Sequence, residues 1–423
     1  MDSREALCYT LLKKVFVDKA YASVVLDAAL RTCPEQDKPY ITKLFYGVLE
    51  RSVYYDAVIA SFATQKPKTA VAILIKMGYY LLEHMRVPDY AAVNTIVSLC
   101  KKVGKGQAAG FVNAALRHFS PPTLAEDGTA EYLSVRHSVP LWLVRLLITD
   151  YGYDFAAQML GHVPDHRTHI RVNEGTLSKA AFAQKYERLL ASGQLSPSPV
   201  GYFAAREGFS ALAETDYVVQ SAASIAAVEA YLSDLRPPAH ILDLCAAPGG
   251  KAVLLAKRTH AETVACDLYP HRIQMIARYA NACRIALDIR QNDATLFEPA
   301  FEKAFDLVIC DVPCSGLGDT GSKPDILFNR SEQDIQPLTK VQAAILNTAK
   351  RYVKKGGRLC YSTCSVLKAE NSGIADRFAQ ENPDFVRTPI SSPYTPQPVR
   401  EICLFPHLHG TDGFYITAFT KKG

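Results

Sequence analysis

The chain has 423 residues, too many for one ordinary hydrophobic core, so two or three domains are expected. Hydrophobic residues make up 48% and charged residues 21%, a globular balance that excludes wholesale disorder. No apolar run reaches membrane-span length and the start, Met1–Glu5, lacks a signal-peptide core; a cytoplasmic protein is expected. The net charge of +5 is unevenly spread. Residues 1–125 hold 16 Lys/Arg against 10 Asp/Glu, and the remainder is close to neutral, so a polyanion would be gripped by the N-terminal part. The 11 cysteines are odd in number and carry no export context, which makes reduced thiols the default and a disulfide framework unexpected.

Residues 1–122 read as all-helical. Ile41, Leu44, Phe45, Val48 and Leu49 share one helix face, and Leu74, Met77, Gly78, Leu81 and Leu82 repeat the spacing. Ser120-Pro121-Pro122 closes this region. Residues 123–235 read as a connector followed by a small α+β domain. In it, His169–Asn173 has the alternation of a half-exposed strand, with Arg171 and Asn173 on the face open to solvent or RNA.

From 236 to 423 the pattern becomes βαβα. Strands are predicted at His240–Leu244, Thr263–Asp267, Leu287–Gln291, Phe305–Cys310, Gly357–Tyr361 and Gly413–Thr420. Helices are predicted at Gly250–Lys257, Pro270–Cys283 and Ile335–Lys354, and the Pro-rich stretch 389–398 reads as a loop. Such alternation implies a mainly parallel, doubly wound sheet with its sites at the carboxyl ends of the strands.

Three of those strand ends carry chemistry. The first opens into Cys245-Ala246-Ala247-Pro248-Gly249-Gly250-Lys251, a turn whose glycines let a ligand approach the backbone. It is neither a dinucleotide fingerprint nor a phosphate loop. Asp267 ends the second strand, in position to accept from ribose hydroxyls, and Asp293 follows the third, where it can accept from an adenine amino group. Acids in this order fit the sulfonium of S-adenosylmethionine better than NAD or ATP. Lys251 and Arg272 are candidate partners of these acids or of the cofactor.

The other two ends are Asp311-Val312-Pro313-Cys314-Ser315 and Tyr361-Ser362-Thr363-Cys364-Ser365. Cys310 and Cys360 suggest zinc spacing with Cys314 and Cys364, but they sit inside apolar strands as small hydrophobes, and no metal site is expected. Two strand-end thiols facing a cofactor loop suggest covalent methyl transfer.

These motifs, with Leu242–Lys251, Lys323-Pro324-Asp325-Ile326, Tyr361–Asn371 and Asp412–Tyr415, resemble the RNA cytosine-5 methyltransferases of the RsmB/NSUN type. The helical region resembles the NusB-like RNA-binding domain of bacterial members, carried by Phe45–Leu49, Met77–Leu81 and Val112–Arg117. The resemblance implies a NusB-like bundle, a small α+β linker domain and a Rossmann-like catalytic sheet. It also implies S-adenosylmethionine as cofactor and a 16S small-subunit rRNA cytosine as target, with the RNA naked or in an early assembly state and the enzyme a monomer. Carried over, Cys364 is the nucleophile and Cys314 aids product release. Hydrogen bonding or protonation at ring nitrogen-3 would stabilise the adduct, and a strand-end carboxyl such as Asp311 suits that role. Departures are Gln220-Ser221, where the family has Gln-Asp, and Gly321-Ser322-Lys323, less basic than usual before Pro324. A tRNA methyltransferase and a non-catalytic RNA-binding assembly factor are the alternatives. A DNA cytosine-5 methyltransferase would use the Pro-Cys thiol instead.

Overall fold

The computed structural model describes residues 3–163, 165 and 167–423. The chain divides into two compact units, residues 1–162 with 322–332, and residues 163–321 with 333–423.

The first unit is helical. Its helices Lys38–Glu50 and Thr69–His84 bury the two apolar stripes read from the sequence: Ile41, Leu44, Phe45, Val48 and Leu49 are all inside, as are Leu74, Met77 and Leu81. Each such side chain contributes about 1.5–3 kcal/mol through burial. Lys76 lies inside the same core, where its ammonium donates to Ser52 Oγ (2.6 Å) and Asp56 Oδ2 (2.8 Å). Burial pushes the Lys76 pKa down despite Asp56. The helices Ala130–His137 and Leu141–Tyr151 belong to this unit by packing, and so does the short helix Ile326–Asn329, whose Phe328 ring meets Phe16 edge-on at 5.1 Å.

The second unit holds two sheets. The smaller comprises β1 (Thr168–Val172), β2 (Leu195–Ser198), β3 (Gly201–Ala204) and β4 (Tyr217–Val219), antiparallel in the order β2-β3-β1-β4. Arg171 of β1 does not face solvent as its alternation suggests. It is buried, and its Nε donates to Gln220 Oε1 at 2.8 Å, because the next layer of the unit covers that face.

The larger sheet comprises β5 (His240–Asp243), β6 (Glu262–Asp267), β7 (Asp288–Gln291), β8 (Phe305–Asp311), β9 (Val353–Thr363) and β10 (Phe385–Thr388). A ribbon of β11 (Ile390–Ser392) and β12 (Thr395–Val399) follows, then β13 (Glu401–Leu404) and β14 (Phe414–Lys421). The order is β10-β14-β9-β8-β5-β6-β7, with β13 also on β14; β7, β6, β5, β8 and β9 run parallel and β14 antiparallel. Strand order reverses between β5 and β8, so a crevice opens at their carboxyl ends, where ligands bind in open α/β sheets.

Three details depart from the sequence reading. The helix Ile335–Ala349 stops before Lys354, because β9 already begins at Val353 and extends to Thr363. The Pro-rich 389–398 stretch forms the β11–β12 hairpin rather than a loop, as a two-stranded ribbon has edges on which proline needs no ladder partner. The strands β10 and β13 were not foreseen; they are only four residues each.

Candidate active site

The 245–251 loop leaves β5 at Asp243 and turns back into the helix Gly250–Thr259. Ala246 N–H donates to Cys266 of β6, and Gly249 N–H to Ala246, closing a tight turn that contains a cis Ala247–Pro248 peptide. Gly249 sits at φ +112°, a backbone state that side-chain-bearing residues rarely adopt. Asp243 is 1% exposed; its Oδ1 accepts from Cys245 N–H at 3.3 Å and its Oδ2 is buried with no partner among the described residues. Burial, reinforced by the charge of Asp311, pushes the Asp243 carboxyl up to about 7. Cys245 itself is driven well above the ordinary thiol range by burial and the surrounding acids, which suits a lining residue rather than a nucleophile.

Asp267 ends β6, buried, accepting from Tyr269 N–H and facing the Arg272 guanidinium at 3.6 Å. Asp293, after β7, accepts from Thr295 N–H (2.9 Å) and Thr295 Oγ1 (2.6 Å). The structure therefore brings all three acids to neighbouring strand ends and ties Arg272 to Asp267.

Lys251 projects from the first turn of its helix to Asp311, at the end of β8, with Nζ 2.7 Å from Oδ2. Burial acts against its charge, yet Asp311, helped by Asp243 and Cys364, outweighs it and holds the Lys251 pKa above its ordinary value. The Phe414 ring lies 5.3 Å from Nζ, adding a cation–π contact. Asp311 Oδ1 accepts from Ser362 Oγ at 2.7 Å, and Ser362 meets the buried Tyr231 hydroxyl at 2.6 Å. Asp311 is thus held on two sides.

The loops leaving β8 and β9 bring Cys314 Sγ and Cys364 Sγ to 3.2 Å, both part-exposed. The hydrogen bond to Cys364, burial and the nearby Glu370 push the Cys314 thiol well above its ordinary range. Cys310 and Cys360, by contrast, are fully buried in β8 and β9, and burial lifts Cys360 to about 12. The loops meet a third at glycine: a Cβ on Gly318 would stand 2.1 Å from the Gly413 carbonyl, so only glycine permits the approach. Gly318 N–H donates to Cys364 O, and Gly413 N–H to Gly318 O.

Beneath the thiols lies a polar network that the sequence reading left out: Ser315, Ser365, Gln342, Glu370 and Asn371. Asn371 accepts from Thr363 Oγ1 at 2.5 Å and donates to Ser365 O at 2.9 Å, fixing the β9 loop on both sides of Cys364. The signal available in the sequence was the repeated Cys-Ser pair, 314–315 and 364–365.

A doubly wound sheet with a Gly-turn after its first parallel strand and acids at the next strand ends is the fold and site of an S-adenosylmethionine-dependent methyltransferase. The fit is physical: a buried Asp243 oxygen, unpartnered among the described residues, and a glycine-permitted turn suit a cationic ligand pressed against the backbone. The family model described as 16S rRNA methyltransferase RsmB/F matches residues 230–420, and that described as NusB family matches residues 1–121. The "Probable ribosomal RNA small subunit methyltransferase B" of Bacillus subtilis (strain 168) is 30% identical, covering 97% of each chain. The "Ribosomal RNA small subunit methyltransferase B" of Salmonella arizonae is 31% identical, covering 95% of this chain and 94% of its own. Among solved structures, the crystal structure of PH0851 covers 100% of this chain and 99% of its own at TM-score 0.80 and 22% identity. NSun6 from Pyrococcus horikoshii, solved with SFG, covers 67% of this chain and 98% of its own at TM-score 0.56 and 18% identity. The chain belongs to the 16S rRNA methyltransferase RsmB/F family and is an S-adenosylmethionine-dependent RNA methyltransferase.

Proposed function

We propose that the enzyme methylates carbon-5 of a cytosine in small-subunit ribosomal RNA through a covalent thiol adduct. The observation that carries this reading is the 3.2 Å approach of two thiols at adjacent strand ends, beside the Lys251–Asp311 pair. Carbon-5 of cytosine is a poor nucleophile, and a sulfur bonded to carbon-6 makes it enamine-like. S-adenosylmethionine, held by the 245–251 turn, Asp267 and Asp293, supplies an electrophilic methyl group when bound.

Cys364 forms the bond to carbon-6 as its thiol proton passes by way of Asp311 to nitrogen-3, and the electron pair of the ring double bond moves toward carbon-5 and nitrogen-3. In its protonated form Asp311 donates to nitrogen-3 as charge gathers there, and Lys251 Nζ, 2.7 Å from Oδ2, keeps that carboxyl in place. Once carbon-5 is methylated, its proton passes to water, the pair of that C–H bond re-forms the ring double bond, the carbon–sulfur pair leaves with Cys364, and nitrogen-3 returns its proton to that thiolate. Cys314, 3.2 Å from Cys364, assists this elimination. The target base must be unpaired or flipped out, because both ring carbons are reached from the face. The basic excess of residues 1–125 supports RNA binding by the helical unit, and the enzyme acts as a monomer in the cytoplasm.

The test is transfer from labelled S-adenosylmethionine to small-subunit ribosomal RNA and to tRNA, with nucleoside analysis. 5-Methylcytidine in the ribosomal RNA, lost in Cys364→Ala, is expected. Product in tRNA alone would move the substrate, and no product with either pool despite cofactor binding would favour a binding-only role. An adduct retained in Cys364→Ala but lost in Cys314→Ala would reverse the thiol roles.

A further inference from the structure

The two thiol loops repeat one device. Ser315 and Ser365 each follow a cysteine, and each hydroxyl accepts from the backbone N–H two residues on, Leu317 at 3.4 Å and Leu367 at 3.2 Å. Both hydroxyls donate to the same oxygen, Glu370 Oε2, at 2.5 Å and 2.6 Å. The other oxygen, Oε1, accepts from Ser315 N–H at 2.8 Å and Gln342 Nε2 at 3.0 Å. Glu370 is 0% exposed, and among the described residues no cation pairs with it. Gln342 also donates to Pro313 O, and the Tyr361 hydroxyl donates to the Glu370 backbone carbonyl.

A carboxyl removed from water is costly unless its oxygens are satisfied, and here four donors from three separate segments do so. Three of those donors belong to the residues immediately after Cys314 and Cys364. One side chain therefore clamps two loops that are 50 residues apart in sequence. Lys251 and Asp311 are not part of this clamp; their bonds run to each other and to Ser362.

We infer that Glu370 is a positioning residue that holds Cys314 in register with Cys364, and so governs release of the methylated base rather than attack on it. This rests on the thiol roles proposed above. Removing Glu370 takes away the acceptor that the Ser315 and Ser365 hydroxyls share and loosens the Cys314 loop, which keeps its bonds from Gln342 to Pro313 O and from Gly318 N–H to Cys364 O. Cys364 keeps a second anchor of its own in the Asn371 bonds to Thr363 and Ser365. Attack is thereby spared and elimination impaired.

The test compares Glu370→Ala and Glu370→Gln in the full-length enzyme, alone and with Cys314→Ala, measuring formation and decay of the protein–RNA adduct separately. In Glu370→Ala, adduct decay is expected to slow by about tenfold to a hundredfold, the range set by losing a buried charged acceptor of four hydrogen bonds, with formation close to wild type. Glu370→Gln keeps the shape and is expected to fall between wild type and Glu370→Ala. On the Cys314→Ala background, neither change is expected to slow decay further. If Glu370→Ala does not fold, Glu370→Gln and the Ser315→Ala/Ser365→Ala pair take its place in the same comparison. Wild-type decay in a folded variant, or equal slowing of formation and decay in both backgrounds, overturns the inference.

A second readout needs no RNA. Diamide takes two hydrogens from the Cys314 and Cys364 thiols, becoming the hydrazine as the disulfide forms, and peptide mass mapping follows the rate. Loosening the clamp should slow that rate by about tenfold or more, whereas an unchanged rate would also count against Glu370. Wild type that oxidises readily but methylates nothing would remove the proposed reaction and leave the clamp standing.

Discussion

The two halves of the catalytic crevice treat their buried polar groups in opposite ways. At the ends of β5, β6 and β7, Asp243 keeps a buried oxygen with no partner among the described residues, and Asp267 faces Arg272 at a loose 3.6 Å. At the ends of β8 and β9 the acids are satisfied: Glu370 by both serines at 2.5–2.8 Å and Asp311 by Lys251 and Ser362 at 2.7 Å, while Asn371 bonds Thr363 and Ser365 at 2.5 and 2.9 Å. An uncompensated buried acid destabilises the empty fold and is matched by a ligand; a closed network rigidifies and fixes geometry. The contrast separates a surface that binds from one that holds reacting groups still.

The sharpest way to break the comparison is at the thiols. Cys364→Ala should lower methylation by about a thousandfold or more, because the covalent route is lost, without changing cofactor affinity in equilibrium dialysis. Cys314→Ala should retain adduct formation and accumulate a gel-stable protein–RNA complex.

Next in size is the half-buried ion pair. Removing one partner, in Lys251→Met or Asp311→Asn, leaves the other charge without its counter-ion. It should cost about 1–2 kcal/mol of stability in urea unfolding, together with about a hundredfold in turnover. Were both variants as stable and active as wild type, the pair would be mere surface charge.

The cofactor half should instead reveal itself through pH. The Asp243 carboxyl, lifted to about 7 by burial and Asp311, keeps its proton in the folded state where an unfolded aspartate, near 4, has lost it. This group therefore costs the fold nothing below about pH 4 and progressively more as pH rises to about 7. A cationic ligand favours the carboxylate, so cofactor affinity should climb with pH up to about 7, by at most about tenfold per unit, with proton release on binding. Calorimetry in two buffers of different ionisation enthalpy measures that release, and Asp243→Asn should abolish it.

The smallest effects belong to the helical unit. Lys101→Ala or Lys105→Ala, both exposed, should weaken RNA binding only a few-fold and flatten its salt dependence by about one charge. Unchanged salt slopes across such variants would locate the grip on RNA elsewhere.

Much of this was legible in the sequence because strand ends announce themselves. The apolar runs at 263–267 and 305–310 stop at acids, Asp267 and Asp311, and the motifs after 240–244, 305–310 and 357–361 carry the turn residues and thiols. What stayed hidden depends on tertiary neighbours. Arg171 alternates like a solvent-facing residue, but another layer covers it and Gln220 receives its bond. Glu370 looks like a surface acid in the loop between β9 and the helix Ser372–Glu381, and only folding brings Ser315 and Gln342 to it. The β10 and β13 strands are too short for periodicity to show, and Pro396 and Pro398 argued against the hairpin that contains them.

The membership of residues 322–332 in the helical unit bears on how this protein is made. Phe328 completes the packing around Phe16 of the first helix, yet it is translated long after that helix. At about 5–20 residues per second, the ribosome delivers that last piece roughly ten to thirty seconds after residue 162. Nascent chains halted before residue 322 should therefore display a protease-sensitive first helix that becomes resistant once residue 332 has left the exit tunnel.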